Sequence, residues 1–173
     1  MNIQVVALIG RLRIFLFLII ALLFIAAYFL GYAIKPSPGF AAQVNAELNN
    51  FTNQLSKLAP TAQAAYKITS FLASLGPSFI PIYGIWNTAF QWVITGIATN
   101  AVNSEVGMSL MAQTIILSII LSIPSTDGLI FTLMLINYAR NREFRNLVVM
   151  AFRQYIMAVI MALILIIILL LIP

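Results

Sequence analysis

The sequence predicts an all-α fold: a polytopic transmembrane helical bundle of about five crossings, with proline-broken helices and one external amphipathic helix. Composition carries the first part of this prediction, because 62% of the 173 residues are hydrophobic and only 8% are charged, against about 25% charged residues in a soluble domain. The distribution of the charges carries the second part, since long uncharged segments separate them. Residues 1–173 are predicted to form a single membrane domain in contact with the lipid bilayer.

Missing residue types exclude several kinds of chemistry. The chain contains no histidine and no cysteine, and Asp127 is its only aspartate. Zinc and iron–sulfur sites, thiol nucleophiles, imidazole-dependent triads and a pair of catalytic aspartates are therefore not expected. We predict no enzyme activity, no cofactor and no metal site. The net charge of +5 does not indicate nucleic acid, because basic residues flanking apolar spans explain it.

The first and last spans predict the orientation of the chain. Residues 14–34 form an uncharged run long enough to cross about 30 Å of hydrocarbon, and we interpret it as a signal anchor, since it exceeds the usual core of a cleaved signal peptide. Arg11 and Arg13 precede it, so the N-terminus is expected in the cytoplasm. The basic segment 140–145 is expected there too, and the last span, 146–172, then leaves the C-terminus external. The predicted location is the cell (plasma) membrane.

The segment 37–60 is predicted to be an external amphipathic helix. Its polar residues surround a narrow apolar stripe at helical spacing, which we call the seam: Val44, Leu48, Phe51, Leu55 and Leu58. Two interpretations stay open, one in which the seam packs on the membrane surface or on the other spans, and one in which it binds a partner. Asn50 begins the one N-glycosylation acceptor sequence (N-x-[ST]) of the chain and lies in this segment, so it is a candidate glycosylation site.

Proline and glycine interrupt the two long central apolar segments. Pro81 and Gly84 divide the first into a short helix over 61–75 and a full-length helix over 82–102. Pro124 is predicted to break the second, 106–139, at residues 123–128. If the 61–75 helix crosses the membrane, 106–139 must act as one kinked crossing, and otherwise it must cross twice. Both alternatives give five crossings.

These breaks carry a resemblance to a known family. The turn Phe79-Ile80-Pro81-Ile82-Tyr83-Gly84, the later Thr95-Gly96-Ile97-Ala98 and the proline-broken helix at Pro124 follow one another in the order found in the stage II sporulation protein M-like integral membrane family, and the chain resembles the archaeal type of that family. The family usually has a glutamate in the helix after the later proline, whereas the acidic residue here is Asp127, close to the break. The resemblance implies a non-enzymatic envelope protein.

Polar residues within the apolar segments are the candidate site residues. Asp127 is either an ion or proton site or a helix-capping residue, with Ser125 or Thr126 as the N-cap of a helix that starts after Pro124. Arg153 is expected to snorkel to the cytoplasmic interface or to pair with Glu143 or Asp127. Gln91 and Gln113 should point inward and hydrogen-bond between helices. The candidate polar or hinge set is therefore Asp127, Pro124, Pro81, Gly84, Gln91, Gln113 and Arg153.

Close helix packing is predicted at two pairs of small residues. Ala27 and Gly31 stand four residues apart, as do Gly84 and Thr88. Such spacing allows two helices to approach closely, within this chain or between copies.

Two functions from different classes follow. The first is a structural or assembly subunit of a larger cell-envelope complex, which binds other membrane subunits or forms a homo-oligomer. The second is a small permease or channel-forming subunit, because broken helices often form substrate sites in transporters.

Overall fold

The computed structural model describes residues 3–102 and 104–171, with side chains described from residue 10 onward in these ranges. The fold over these residues is all-α and contains no strand, as predicted. Two short 3₁₀ turns, Gly76–Phe79 and Arg142–Phe144, join pairs of helices. The helices are α1 (Ile3–Ala33), α2 (Pro38–Ser56), α3 (Pro60–Leu75), α4 (Tyr83–Ala101), α5 (Ser104–Arg140) and α6 (Arg145–Leu171).

The predicted five crossings are not supported. Among the described residues, three helical segments have the length and apolarity to cross a membrane: Gly10–Ala33, Ser104–Arg140 and Arg142–Leu171. The other predicted crossings fail for different reasons. Helix α3 has 16 residues and ends in a 3₁₀ turn, and α4 carries Asn87, Gln91 and Asn100 along 19 residues.

Helix α5 is continuous, which corrects the predicted break at Pro124. Proline removes one intrahelical hydrogen bond because it has no N–H group. Two neighbouring hydroxyls bond to carbonyls of the turn that precedes Pro124: Ser122 Oγ donates to the carbonyl of Ile119 and Thr126 Oγ1 donates to that of Ser122, both at 2.7 Å. Pro124 is itself buried among the other helices, and tertiary packing therefore holds the helix through the proline.

Helices α1 and α4 approach so closely that their backbones touch. A Cβ atom built on Gly31 would fall on the carbonyl of Val93, and one on Gly96 would fall on the carbonyl of Tyr28. Of the two predicted pairs of small residues, Ala27 and Gly31 are both buried on α1, and Gly31 lies at this crossing. On α4 the close approach is at Gly96 and not at the predicted pair Gly84 and Thr88, since Gly84 packs against the carbonyl of Ser78. The close contact lies within the chain.

The apolar core joins α1, α3, α4, α5 and α6. Phe24 and Tyr28 of α1 are completely buried, and Leu121 of α5 and Ile166 of α6 pack in the same cluster. Leu75, the last residue of α3, closes the cluster. Since the 3₁₀ turn Gly76–Phe79 follows directly, this contact anchors the α3–α4 connection inside the bundle.

Candidate functional site

The candidate site is an ion pair between α1 and α5. Asp127 is 2% exposed, and its Oδ2 accepts a hydrogen bond from Nη2 of Arg13 at 2.5 Å. The Arg13 side chain is 42% exposed. A buried carboxylate is costly without a partner, so this pair fixes α1 against α5 over a separation of 114 residues in the sequence.

The connection between α3 and α4 packs against the same region of α5 and α6. A Cβ atom on Gly128 would lie 3.4 Å from Cα of Pro81 and 3.2 Å from the ring of Tyr155. The Tyr155 hydroxyl donates to the carbonyl of Phe79, and the ring stacks on Phe131 with the two planes 2° apart. Pro81 therefore packs against α5 beside Tyr155 of α6, next to the ion pair.

The chain reverses into α4 through a strained residue. Ile82 has a φ of 64°, which is rare for a β-branched side chain. The Tyr83 N–H donates to the Pro81 carbonyl at 2.7 Å, so residues 81–83 form a γ-turn. Gly84 follows because a Cβ atom there would fall on the carbonyl of Ser78. The γ-turn and Gly84 therefore pack the start of α4 closely against residues 78–81.

Asp127 does not cap a helix, which corrects one of its two predicted roles. No helix starts at Ser125 or Thr126, since α5 runs through both. The Thr126 hydroxyl donates to the preceding turn of α5, and the buried Ser125 hydroxyl has no hydrogen-bond partner. The carboxylate instead forms the ion pair with Arg13.

Arg153 is not the partner of Asp127, and within the described residues it makes no ion pair with Glu143. Its side chain is exposed and lies on α6. Arg13 and Arg153 line one open groove with a volume of about 520 Å³. The two arginines therefore lie on a shared surface. The sequence predicted that Arg153 snorkels to the interface, but it did not predict that Arg153 lies next to Arg13.

Polar residues of α3, α4 and α5 line a second cavity. Gln91 Nε2 donates to the carbonyl of Ser74 at 3.2 Å, which is the interhelical hydrogen bond predicted for it. Gln113 was predicted to point inward as well, but this prediction is wrong because its side chain is exposed. Gln113 lines the same cavity as Gln91, with a volume of about 310 Å³. It also lines a neighbouring cavity of about 540 Å³ together with Lys67.

The seam is only partly covered by the chain itself. None of the residues of α2, all of which the structure describes, is buried. Phe51 is 36% exposed and its ring lies 5.9 Å from that of Tyr66 on α3. The other seam residues, Val44, Leu48, Leu55 and Leu58, are half-buried. Asn50 is exposed beside them.

No group of three potential metal-ligating side chains occurs in the part of the chain that the structure describes. The charged groups of the ion pair are one guanidinium and one carboxylate, and the chain contains no thiol or imidazole. Such a site can hold helices together or bind an ion.

Comparison with known proteins gives no match to any family model, curated protein or solved structure. The resemblance to the stage II sporulation protein M-like family therefore stays a prediction.

The sequence analysis did not identify Arg13 as the partner of Asp127, and it did not identify Tyr155 as the residue that bonds to the α3–α4 turn. A sequence signal exists for the Arg13–Asp127 pair. A single aspartate in a chain with nine basic residues needs a cation if it is buried, and Arg13 lies at the start of an apolar span. No sequence signal pointed to the Phe79 carbonyl, since any backbone carbonyl can accept a hydrogen bond.

Proposed function

We propose that the protein is a non-enzymatic integral membrane protein that serves as a structural or assembly subunit of a larger cell-envelope complex. The observation that carries this proposal is the incomplete burial of α2. This 19-residue helix has an apolar seam, yet none of its residues is buried by the rest of the chain. A partner that covers the seam would bury that apolar surface, which is favourable.

Helix α2 is held in a defined position, as a binding surface requires. Ser37 caps it, with its Oγ accepting from the N–H of Phe40 at 3.2 Å. Asn45 Nδ2 donates to the carbonyl of Ala101 at the end of α4, and the Tyr66 hydroxyl of α3 donates to Gln54. These contacts use polar groups of α2, and the apolar seam stays only partly covered by the chain. A partner therefore meets an already ordered helix.

The ion pair fits a structural role in the same proposal. Asp127 is matched by Arg13, so its charge is used to join two helices. The predicted resemblance to the stage II sporulation protein M-like family supports the same assignment, because that resemblance implies a non-enzymatic envelope protein.

Substitution of Phe51 by aspartate should reduce the partner recovered with the purified protein about tenfold or more, since a charge placed in an apolar contact costs over about 1.4 kcal/mol. The matched control is Asn53→Asp, which adds the same charge to the exposed polar face of α2. Quantitative mass spectrometry of material purified in mild detergent provides the measurement. Equal recovery of the partner with both variants would show that the seam does not bind it, which would contradict the proposal.

The proposed orientation has the N-terminus and residues 140–145 in the cytoplasm and α2 outside, on the positive-inside rule. The chain has no cysteine, so single cysteines can be introduced without background. A cysteine at Asn53 should react with a membrane-impermeant maleimide added to intact cells, and one at Asn141 should react only after lysis. Labelling of Asn141 in intact cells would reverse the orientation.

A permease or channel-forming subunit is the second candidate function, and one observation favours it. A cavity of about 250 Å³ lined by Arg13, Phe17 and Thr126 lies beside the ion pair, so an ion or small solute has room next to a charged group. Proton or cation flux into vesicles containing the purified protein, lost in Asp127→Asn, would favour this function over assembly. Assembly alone predicts equal flux in protein-containing and protein-free vesicles.

A further inference from the structure

We propose that the groove lined by Arg13 and Arg153 binds the headgroup of an anionic phospholipid at the membrane boundary nearest to residues 140–145. The groove has a volume of about 520 Å³ and combines these two arginines with apolar side chains of α6, among them Met157, Met161 and Ile164. This combination matches the two parts of a phospholipid, a phosphate and an acyl chain.

The depth of both arginines matches a headgroup. From Arg13 to the end of α1 at Ala33 the helix rises about 30 Å, and from Arg153 to the end of α6 at Leu171 it rises about 27 Å. The hydrocarbon core is about 30 Å thick. When these two helices cross the bilayer, both guanidinium groups therefore lie near one boundary, where lipid phosphates are found.

Free donors remain on both arginines. Arg13 uses Nη2 for the ion pair with Asp127, and within the described residues its other guanidinium nitrogens make no hydrogen bond. Arg153 has neither an ion pair nor a hydrogen bond there. A guanidinium offers five N–H donors, and a phosphate oxygen accepts such charge-assisted bonds strongly. With Asp127 neutralising one arginine, the groove retains one unbalanced positive charge.

The apolar side chains of α6 that line the groove favour a phospholipid over a soluble phosphate. Met157 is 67% exposed, Met161 49% and Ile164 52%, and they continue along α6 from Arg153 toward the centre of the span. An acyl chain attached to the bound phosphate would cover these side chains. Basic pockets beside transmembrane helices bind anionic headgroups in this way.

The test uses the full chain purified in detergent, with phosphatidylglycerol and phosphatidylcholine as probes and native mass spectrometry as the measurement of bound lipid. The wild type should retain phosphatidylglycerol in preference to phosphatidylcholine. Arg153→Gln should weaken phosphatidylglycerol binding about fivefold, the effect of removing one basic residue near a membrane surface. Arg153→Lys should keep most of the preference because it keeps the charge.

Arg145→Gln is the matched control, because it removes the same charge from an exposed position outside the groove. It should leave lipid retention unchanged. Equal retention in Arg153→Gln and the wild type would overturn the proposal, and so would an equal loss in Arg145→Gln. Full displacement of the lipid by an equimolar amount of glycerol phosphate would also overturn it, since the ligand would then be a soluble phosphate. Size-exclusion profiles matching the wild type verify that each variant is folded.

Discussion

Replacing Arg13 by glutamine is expected to lower the free energy of unfolding by about 3–5 kcal/mol, the usual effect of leaving a buried charge without its partner. Asp127 is 2% exposed and Arg13 is its ion-pair partner, so removal of the guanidinium leaves a buried carboxylate without a compensating charge. Asp127→Asn should cost less, about 1–3 kcal/mol, because Arg13 is 42% exposed and reaches water or lipid headgroups.

The double variant Arg13→Gln/Asp127→Asn separates the ion pair from other effects of the two substitutions. It should be more stable than Arg13→Gln alone, because no uncompensated carboxylate remains, and the coupling between the two sites should fall within about 0.5–3 kcal/mol. Arg11→Gln serves as the control, since Arg11 is exposed and surface substitutions change stability by about 0.5 kcal/mol or less. Denaturant titration in detergent micelles measures all four variants. Identical midpoints for Arg13→Gln and Arg11→Gln would show that the ion pair contributes nothing to stability.

Substitution of Gly96 by alanine should destabilise the protein by about 1–3 kcal/mol, because one added methyl group overpacks a closed interface. The added Cβ would meet the backbone of α1 at the Tyr28 carbonyl and the Tyr32 nitrogen. Backbone atoms of a helix do not move aside as side chains do, so α1 and α4 must separate.

Gly39→Ala is the matched control for this prediction. A Cβ atom on Gly39 meets nothing within 4 Å, and alanine favours a helix more than glycine does by about 1 kcal/mol. This variant should therefore be as stable as the wild type or slightly more stable. Thermal unfolding in detergent, followed by circular dichroism, compares the two alanine variants. Equal melting temperatures would mean that α1 and α4 do not pack as closely as the structure shows.

Helix bounds were the part of the fold that local sequence signals predicted well. The predicted helix over 61–75 corresponds to α3, the one over 82–102 to α4, and the last apolar segment to α6. Prolines and charges mark these ends in the sequence, because proline disfavours a helix N-terminal to it and charges do not enter hydrocarbon readily.

At Pro124 tertiary packing outweighs the local tendency of proline to break a helix. An isolated helix is expected to break there, since one hydrogen bond is lost. In α5 the neighbouring Ser122 and Thr126 hydroxyls bond to nearby carbonyls, and residues 124–128 are all buried. Packing energy from other helices exceeds the cost of the missing bond, and no property of residues 106–139 alone reveals that packing.

The sequence by itself determined the helical class, the apolar segments and the scarcity of charged groups, because these depend on composition and on distances of a few residues along the chain. Only the tertiary structure decided that Asp127 pairs with Arg13, that Tyr155 bonds to Phe79, and that Arg13 and Arg153 share one groove. The physical reason is separation: the ion pair joins residues 114 positions apart, and the tyrosine contact joins residues 76 positions apart. Such pairs form only after α1, α5 and α6 have packed, and the packing depends on the shapes of many side chains at once.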